Sequence, residues 1–392
     1  MFNQIQKAIL ALKLSEDEYN MGVTSSDSGN LQDAIFHFGR ALKFNAENAK
    51  ASCFLGAALS KLNQDEKAIP HLEKAIAINP KHVYAHFILG VVLANLKRYT
   101  QAAQLFEQAI RLDPQFPAAH YNLGTTLSAL KEYEKAIPYF KEAIRLNPQL
   151  PDAHFNLGMT LRKLGQHEGA IKYWEEEIKL NPRHSNAHFN VGNTLITLKQ
   201  DEKAIPHLEK AIAINPEFVE AHFNLGNILI RLKQYEKAIP HLEKALNIRP
   251  DDADINFYYA ITLLKLGKPE KDYKPHLVKA ASLYEKSLEE RDKDPLFHNQ
   301  YGCTLLSLGQ DENARSHFVR ATELQSRHVD TPAAVPATTA SSTGSSNTPS
   351  TSSTTSSLTT STSTMFRPPV QNPNNCGSSS TTIIMPPPPD LD

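Results

Sequence analysis

Six histidines recur in register along this chain: His86, His120, His154, His188 and His222 follow one another at a step of 34 residues, and His298 falls at the same place in a later copy. Imidazole is a common metal ligand, so such a row invites a metal-binding reading. Spacing argues against it. Packed helices lie about 8–10 Å apart, whereas a zinc ligand sits about 2 Å from its ion. One histidine per helical layer cannot converge on one metal, and a packing role is the reading these residues support. The chain holds no Walker-type loop, no HExxH and no GxSxG, and no Ser/His/Asp grouping can be placed. No catalytic residue, no metal and no cofactor is therefore expected, and the chain reads as non-enzymatic.

A second row carries recognition chemistry. Asn20, Asn122, Asn156, Asn190 and Asn224 occupy one register position, with Gln300 at the last copy. An amide offers two donors and an acceptor, so it can pair with both polar groups of a peptide unit. A row of amides at one-repeat spacing can hold an extended chain by its backbone. The other reading is a structural asparagine bonded to the neighbouring repeat. The preceding position is aromatic in Tyr19, Phe87, Tyr121, Phe155, Phe189, Phe223 and Phe257, and a position three further on carries Met159, Asn193, Asn227 and Ile261. These rings either line an apolar recognition surface or pack between repeats.

The elements that must position these rows follow from the period. Pro80, Pro114, Pro148, Pro182, Pro216 and Pro250 keep the same step, and QDEKAIPHLEKAIAINP occurs unchanged at 64–80 and at 200–216. A fixed period of 20–50 residues marks a solenoid. We number the unit 1–34 from Val83. Positions 7, 8 and 11 are Leu, Gly and Leu, on one face of a first helix together with position 4. Positions 20, 24 and 27, small, large and small, share one face of a second. The Asn-Pro or Asp-Pro pair at 31–32 ends that second helix, because the residue before proline avoids the helical region. Each unit is thus a helical hairpin, and hairpins stack. Pro70, Pro138, Pro206 and Pro240 fall inside the second helix at position 22, where each removes a hydrogen bond; their recurrence suggests a built-in bend.

The run AHYNLGTTLSALKEYEKAIPYFKEAIRLNP (119–148) resembles the tetratricopeptide repeat at nearly every diagnostic position. Nine repeats are counted: 15–48, 49–82, 83–116, 117–150, 151–184, 185–218, 219–252, a stretched one at 253–294, and 295–328. Residues 1–14 precede them as an N-terminal capping helix and 329–392 follow as a tail. The resemblance implies an all-α fold, a right-handed superhelical α-solenoid. Its AHFNLG-type first helix looks most similar to the arrays of O-linked N-acetylglucosamine transferases, without their catalytic domain. In that family the first helix lines a concave groove. The resemblance therefore implies a peptide-binding groove built from Asn122, Asn156, Asn190, Asn224, Asn193, Asn227, Tyr121, Phe155, Phe189, Phe223 and Met159. The main expectation is a protein-protein interaction scaffold that binds an extended polypeptide. The alternative is a substrate-recruiting or targeting subunit of an enzyme complex such as a glycosyltransferase system. Members that clamp a terminal carboxylate need Lys and Arg in the groove; position 2 here is Ala118, Asp152, Asn186, Glu220 and Asp254, so a heat-shock cochaperone is not expected.

The copies at 49–82 and 185–218 share an identical second helix and differ over most of the first, keeping Ala51/Ala187, Gly56/Gly192, Leu59/Leu195 and Leu62/Leu198. Packing is held while the rest diverges, through selection for a partner or through drift. With 41 basic and 42 acidic residues the net charge is −1, which argues against a general nucleic-acid or membrane-surface binder. No run of 18 apolar residues exists, so no membrane span is expected. The N-terminus reads poorly as a signal peptide, and Phe2, Ile5, Ile9 and Leu12 fall near one face of a helix that would cover the open end of the first repeat. Cys53, Cys303 and Cys376 form no disulfide framework, and an intracellular, reducing location is the default. From Thr331 onward Ser, Thr, Pro and Ala dominate, and such a tail is expected to be disordered, with 365–370 and 383–392 as two candidate docking peptides. Two irregularities remain. Between Gly267 and Ala280 the register lengthens, as a rim loop or a hinge. Glu177 stands at position 27 where alanine is expected, and would turn outward or pair with a basic neighbour.

Overall fold

The computed structural model describes residues 2–329. The tail, with its two candidate docking peptides and Cys376, lies outside the described residues. Every element among the described residues is a helix. Close contacts divide the chain into one unit that reaches Val191 and another that starts at Gly192.

In the first unit the hairpins are α1 (Phe2–Asp27) with α2 (Leu31–Phe44), α3 (Ala49–Lys61) with α4 (Asp65–Ile78), α5 (Val83–Asn95) with α6 (Tyr99–Leu112), α7 (Pro117–Ala129) with α8 (Tyr133–Leu146), and α9 (Ala153–Lys163) with α10 (His167–Leu180). Then comes α11 (Ser185–Thr197), within which the division falls. The second unit holds α12 (Asp201–Ile214), α13 (Val219–Arg231) with α14 (Tyr235–Ile248), α15 (Ala253–Lys265) with α16 (Glu270–Lys286), a short α17 (Leu288–Arg291), and α18 (Pro295–Ser307) with α19 (Asp311–Val329). Within each unit, partners of a hairpin pack together and each second helix packs on the next first helix.

The glycine at position 8 sets how close the two helices of a hairpin come. A Cβ on Gly90 would lie 2.8 Å from Phe106, on Gly124 3.0 Å from Phe140, and on Gly158 2.5 Å from Trp174. Each of those large residues is at position 24 and wholly buried. Alanines at positions 20 and 27, such as Ala136 and Ala143, are buried beside them.

Two turns punctuate the unit. Position 15 adopts a left-handed backbone in Asn63, Lys97, Lys131, Lys199 and Lys233, with φ of 57–63°, and is glycine at Gly29, Gly165, Gly267 and Gly309. The following N–H then reaches back to the first helix, as Gln64 N–H does to the Leu59 carbonyl at 2.9 Å, the closing bond of a Schellman-type cap. At the other end, Asn79 Oδ1 accepts from Lys81 N–H at 3.1 Å, and Asn147 from Gln149 at the same distance. These Asx turns are why position 31 is Asn or Asp in the six repeats from Asn45 to Asn215.

One sequence expectation changes here, the place of the extra residues in the stretched repeat. Residues 2–27 form one helix, in which Ile5, Ile9 and Leu12 are each more than half exposed. As the sequence places them, Pro70, Pro138, Pro206 and Pro240 lie inside second helices, and Pro275 does so at the equivalent place. The extra residues of the stretched repeat do not sit between Gly267 and Ala280. Only one precedes α16, whose Leu277 and Ala280 are buried in register with Leu242 and Ala245 of α14. The rest lengthen the end of α16 and form α17.

Candidate functional site

Five of the six histidines of the row serve the backbone. Nε2–H of His86 donates to the Pro80 carbonyl at 3.0 Å, and His120 does the same to Pro114 at 3.0 Å. His188 reaches Pro182 at 3.2 Å, His222 reaches Pro216 at 3.1 Å, and His298 reaches Asp292 at 2.9 Å. Asn256 replaces histidine in α15 and its Nδ2 reaches the Pro250 carbonyl at 2.8 Å. In these six repeats position 4 is thus the donor that satisfies the carbonyl left over where the preceding second helix ends. With Nε2 protonated, Nδ1 of His222 must accept, so it is Nδ1–H of His241 that donates across their 3.2 Å contact. Burial pushes both imidazoles below their ordinary range.

The asparagine row divides into two kinds of bond. In the first unit, Asn122 Nδ2 donates to the Ala118 carbonyl at 2.8 Å and Asn190 Nδ2 to the Asn186 carbonyl at 2.9 Å, both one turn back in their own helix. Asn156 Nδ2 instead donates to the hydroxyl of Tyr121 in the preceding repeat at 2.7 Å. In the second unit, Asn224 Nδ2 lies 3.4 Å from Asn193 Oδ1. Asn122, Asn190, Asn193, Asn224 and Asn227 are buried and Asn156 is half-buried. The Oδ1 atom of Asn227 is buried without a partner. The structure therefore fixes the amides in place, two by their own helices and two by side chains of the adjacent repeat.

The rings mostly pack within the array. Tyr121, Phe189 and Phe223 are at most 2% exposed, while Phe155 and Met159 are half-buried. Tyr121 meets Phe140 edge-on, Phe223 meets Tyr258 edge-on, and Phe155 stacks on His184 at 4.8 Å. Burial pushes the Tyr121 phenol well above its ordinary range. The thiol of Cys53 is raised by full burial too, and that of Cys303 is pushed up to about 11. Neither is an activated nucleophile.

Position 2 holds residues that sequence reasoning treated only as a missing clamp. Glu220, 3% exposed, pairs with Arg249 at position 31 of the same repeat. Asp254 accepts from the Tyr284 hydroxyl at 2.7 Å and lies 3.8 Å from Arg291. These acids tie a first helix to the corner that follows. No sequence signal marked them beyond their recurrence at one position. Glu177 neither turns outward nor completes its hydrogen bonding: it is 4% exposed and its Oε2 is buried with no partner.

Among the described residues, no helix is long and apolar enough to cross a membrane. The family models for the tetratricopeptide repeat match residues 117–150, 151–184, 219–252 and 297–328, and a related model described as TPR repeat matches 93–131 and 192–232. A model for the anaphase-promoting complex, cyclosome, subunit 3 matches residues 27–109. Among solved structures, YrrB, described as a TPR protein with an unusual peptide-binding site, is 30% identical over 47% of this chain and 95% of its own, at a TM-score of 0.43. PilF of Pseudomonas aeruginosa is 19% identical over 52% of this chain and 93% of its own, at 0.47. A tetratricopeptide repeat protein from Parabacteroides merdae is 15% identical over 64% of this chain and 99% of its own, at 0.46. No curated protein matches this chain.

Proposed function

This chain belongs to the tetratricopeptide repeat family, and from that premise we propose that it is a non-enzymatic scaffold whose first helices hold an extended polypeptide. Repeats of this kind serve protein-protein interaction in general; the peptide backbone as the ligand is our own reading. One observation carries it. Asn122 and Asn190 each spend one Nδ2 proton on a carbonyl of their own helix. The side chain is thereby locked in one orientation, and its Oδ1 and second proton carry no further hydrogen bond. An amide fixed before binding loses little rotamer entropy when it pairs with a peptide. The two locked amides stand two repeats apart, so the recognised atoms would be those of the backbone, and side-chain selectivity would fall to Phe155 and Met159, which are only half-buried.

The test is an array of unstructured peptides probed with the full chain and with N122A/N190A. Both asparagines bond only within their own helices, so helicity should stay at the wild-type level. Two hydrogen bonds of about 0.5–1.5 kcal/mol each predict affinity losses of about five- to 150-fold for every peptide that binds. Unchanged affinities with an intact fold would refute the amide role.

A further inference from the structure

Two departures from the repeat meet a helix cap at one point of the first unit. Position 27 is a buried alanine in α4, α6, α8, α12 and α14, but Glu177 in α10. The first helices α5, α7 and α13 begin at position 1, whereas α9 begins at position 3, after Asp152 in a left-handed backbone with φ of 59°. All other non-glycine residues of positive φ among the described residues stand at position 15. A side chain held in that region costs conformational energy and is kept where something else requires it. Beside them His184 caps the next helix, as His82 caps α5 at the same position of its repeat. Its Nδ1 accepts from Ala187 N–H at 3.1 Å while Nε2 points to Asp152 Oδ1 at 3.6 Å.

One ligand atom from each of Asp152, Glu177 and His184 lies within 4.8 Å of the other two. Glu177 is nine-tenths buried, and its Oε2 has no hydrogen-bond partner. We propose that Asp152, Glu177 and His184 form a binding site for a divalent transition-metal cation of the zinc type.

The donor set is two carboxylate oxygens and one imidazole nitrogen, which suits zinc-like ions better than magnesium or calcium. Ligand atoms about 2 Å from a tetrahedral ion stand roughly 3.3 Å apart, so small side-chain rotations close the triangle. Two negative charges balance the ion, and the partnerless oxygen gains a ligand bond. Burial pushes the Glu177 carboxyl above its ordinary range; His184 opposes that shift and Asp152 adds to it. A bound cation favours the charged form that burial disfavours. Access fits an ion and not a long side chain, because Asp152 is 31% exposed in its side chain and His184 only 15%. The fourth position would face solvent on the Asp152 side. One cost is explicit. While Nδ1 accepts from Ala187, the ring proton is on Nε2. Metal at Nε2 moves that proton to Nδ1 and gives up the helix cap, a loss of about fivefold in affinity.

The full chain, freed of metal with a chelator, is titrated with zinc chloride or magnesium chloride and its thermal unfolding followed. Zinc at about a hundredfold above its dissociation constant should raise the midpoint by roughly 5–10 °C, and magnesium should not. E177A restores the repeat's alanine; it should unfold at a higher midpoint than the parent without metal and show no zinc-dependent rise. D152N and H184N should fold and lose the rise, since asparagine keeps a cap acceptor at position 184. An absent rise in the parent chain overturns the proposal. So does an equal rise in E177A and D152N, which would place zinc on other histidines, or an equal rise with magnesium, which would remove the imidazole from the donor set.

Discussion

Adding one methyl group at Gly158 should open the first unit locally. The new Cβ would lie 2.5 Å from Trp174 Nε1, 2.7 Å from Cδ1 and 2.9 Å from Cε2, where ordinary contact is 3.4–4 Å. The indole is wholly buried, and its Nε1–H is tied to the Phe155 carbonyl at 3.1 Å. The ring must move by about 1 Å, and overpacking of that size costs about 1–3 kcal/mol. Losing the indole hydrogen bond adds about 0.5–1.5 kcal/mol. Replacing a helical glycine by alanine returns about 1 kcal/mol. The net is a destabilisation of about 1–3 kcal/mol, or a midpoint about 2–12 °C lower for a unit of this size. Trp174 is the only tryptophan in the chain, so its emission reports this hairpin alone while circular dichroism at 222 nm reports all helices. In G158A the fluorescence transition should fall below the helical transition, because repeat stacks uncouple at a weakened interface. A variant as stable as the parent by both probes would show that the contact between positions 8 and 24 does not set the hairpin's geometry.

Two further outcomes are expected. In chelator, the midpoint advantage of E177A over the parent should widen as pH rises from 4.5: the folded carboxyl is raised above its ordinary 4.5 by burial, so the folded parent holds its proton longer than the unfolded chain and loses stability as pH climbs toward the folded carboxyl's raised range; a constant difference would mean that burial does not perturb Glu177. Hydrogen exchange should show α18 and α19 opening at lower free energy than α13 and α14, because α16 meets α18 through a thinner interface than α14 meets α15, and equal protection would make the residues added around α17 energetically silent.

The period, the small-large-small pattern and the Asn-Pro corner were legible because each repeats a steric requirement in every copy. Hydrogen-bond direction was not. Nothing in the letters says that His120 donates to a backbone carbonyl while Asn122, two residues on, back-bonds to its own helix. The substitution of His by Asn256 was the one available clue, since the two share a donor at similar reach. The left-handed turn at position 15 was hidden for a different reason: lysine fills it in four repeats, although lysine has no preference for that backbone. The six-to-one closing bond and the short link fix it instead. At position 6 the choice between recognition and structure depends on neighbours contributed by another repeat, such as Tyr121 for Asn156, and sequence spacing does not reveal which rotamer reaches across. In the N-terminal segment Ile5, Ile9 and Leu12 have helical spacing and are nevertheless exposed, so periodicity alone does not report burial.

The bond from position 4 to the preceding corner has a consequence for how such a chain can grow. Its acceptor is a main-chain carbonyl, which every copy supplies whatever its side chains are. It is proline in most repeats and Asp292 in the stretched one, and the donor accepts either. A copy inserted by duplication therefore finds its corner already complementary on both sides. The junction requires no matching pair of mutations. The identical stretches at 64–80 and 200–216 are what a modular lineage of that kind leaves behind, with one half of the cassette conserved and the other released to diverge.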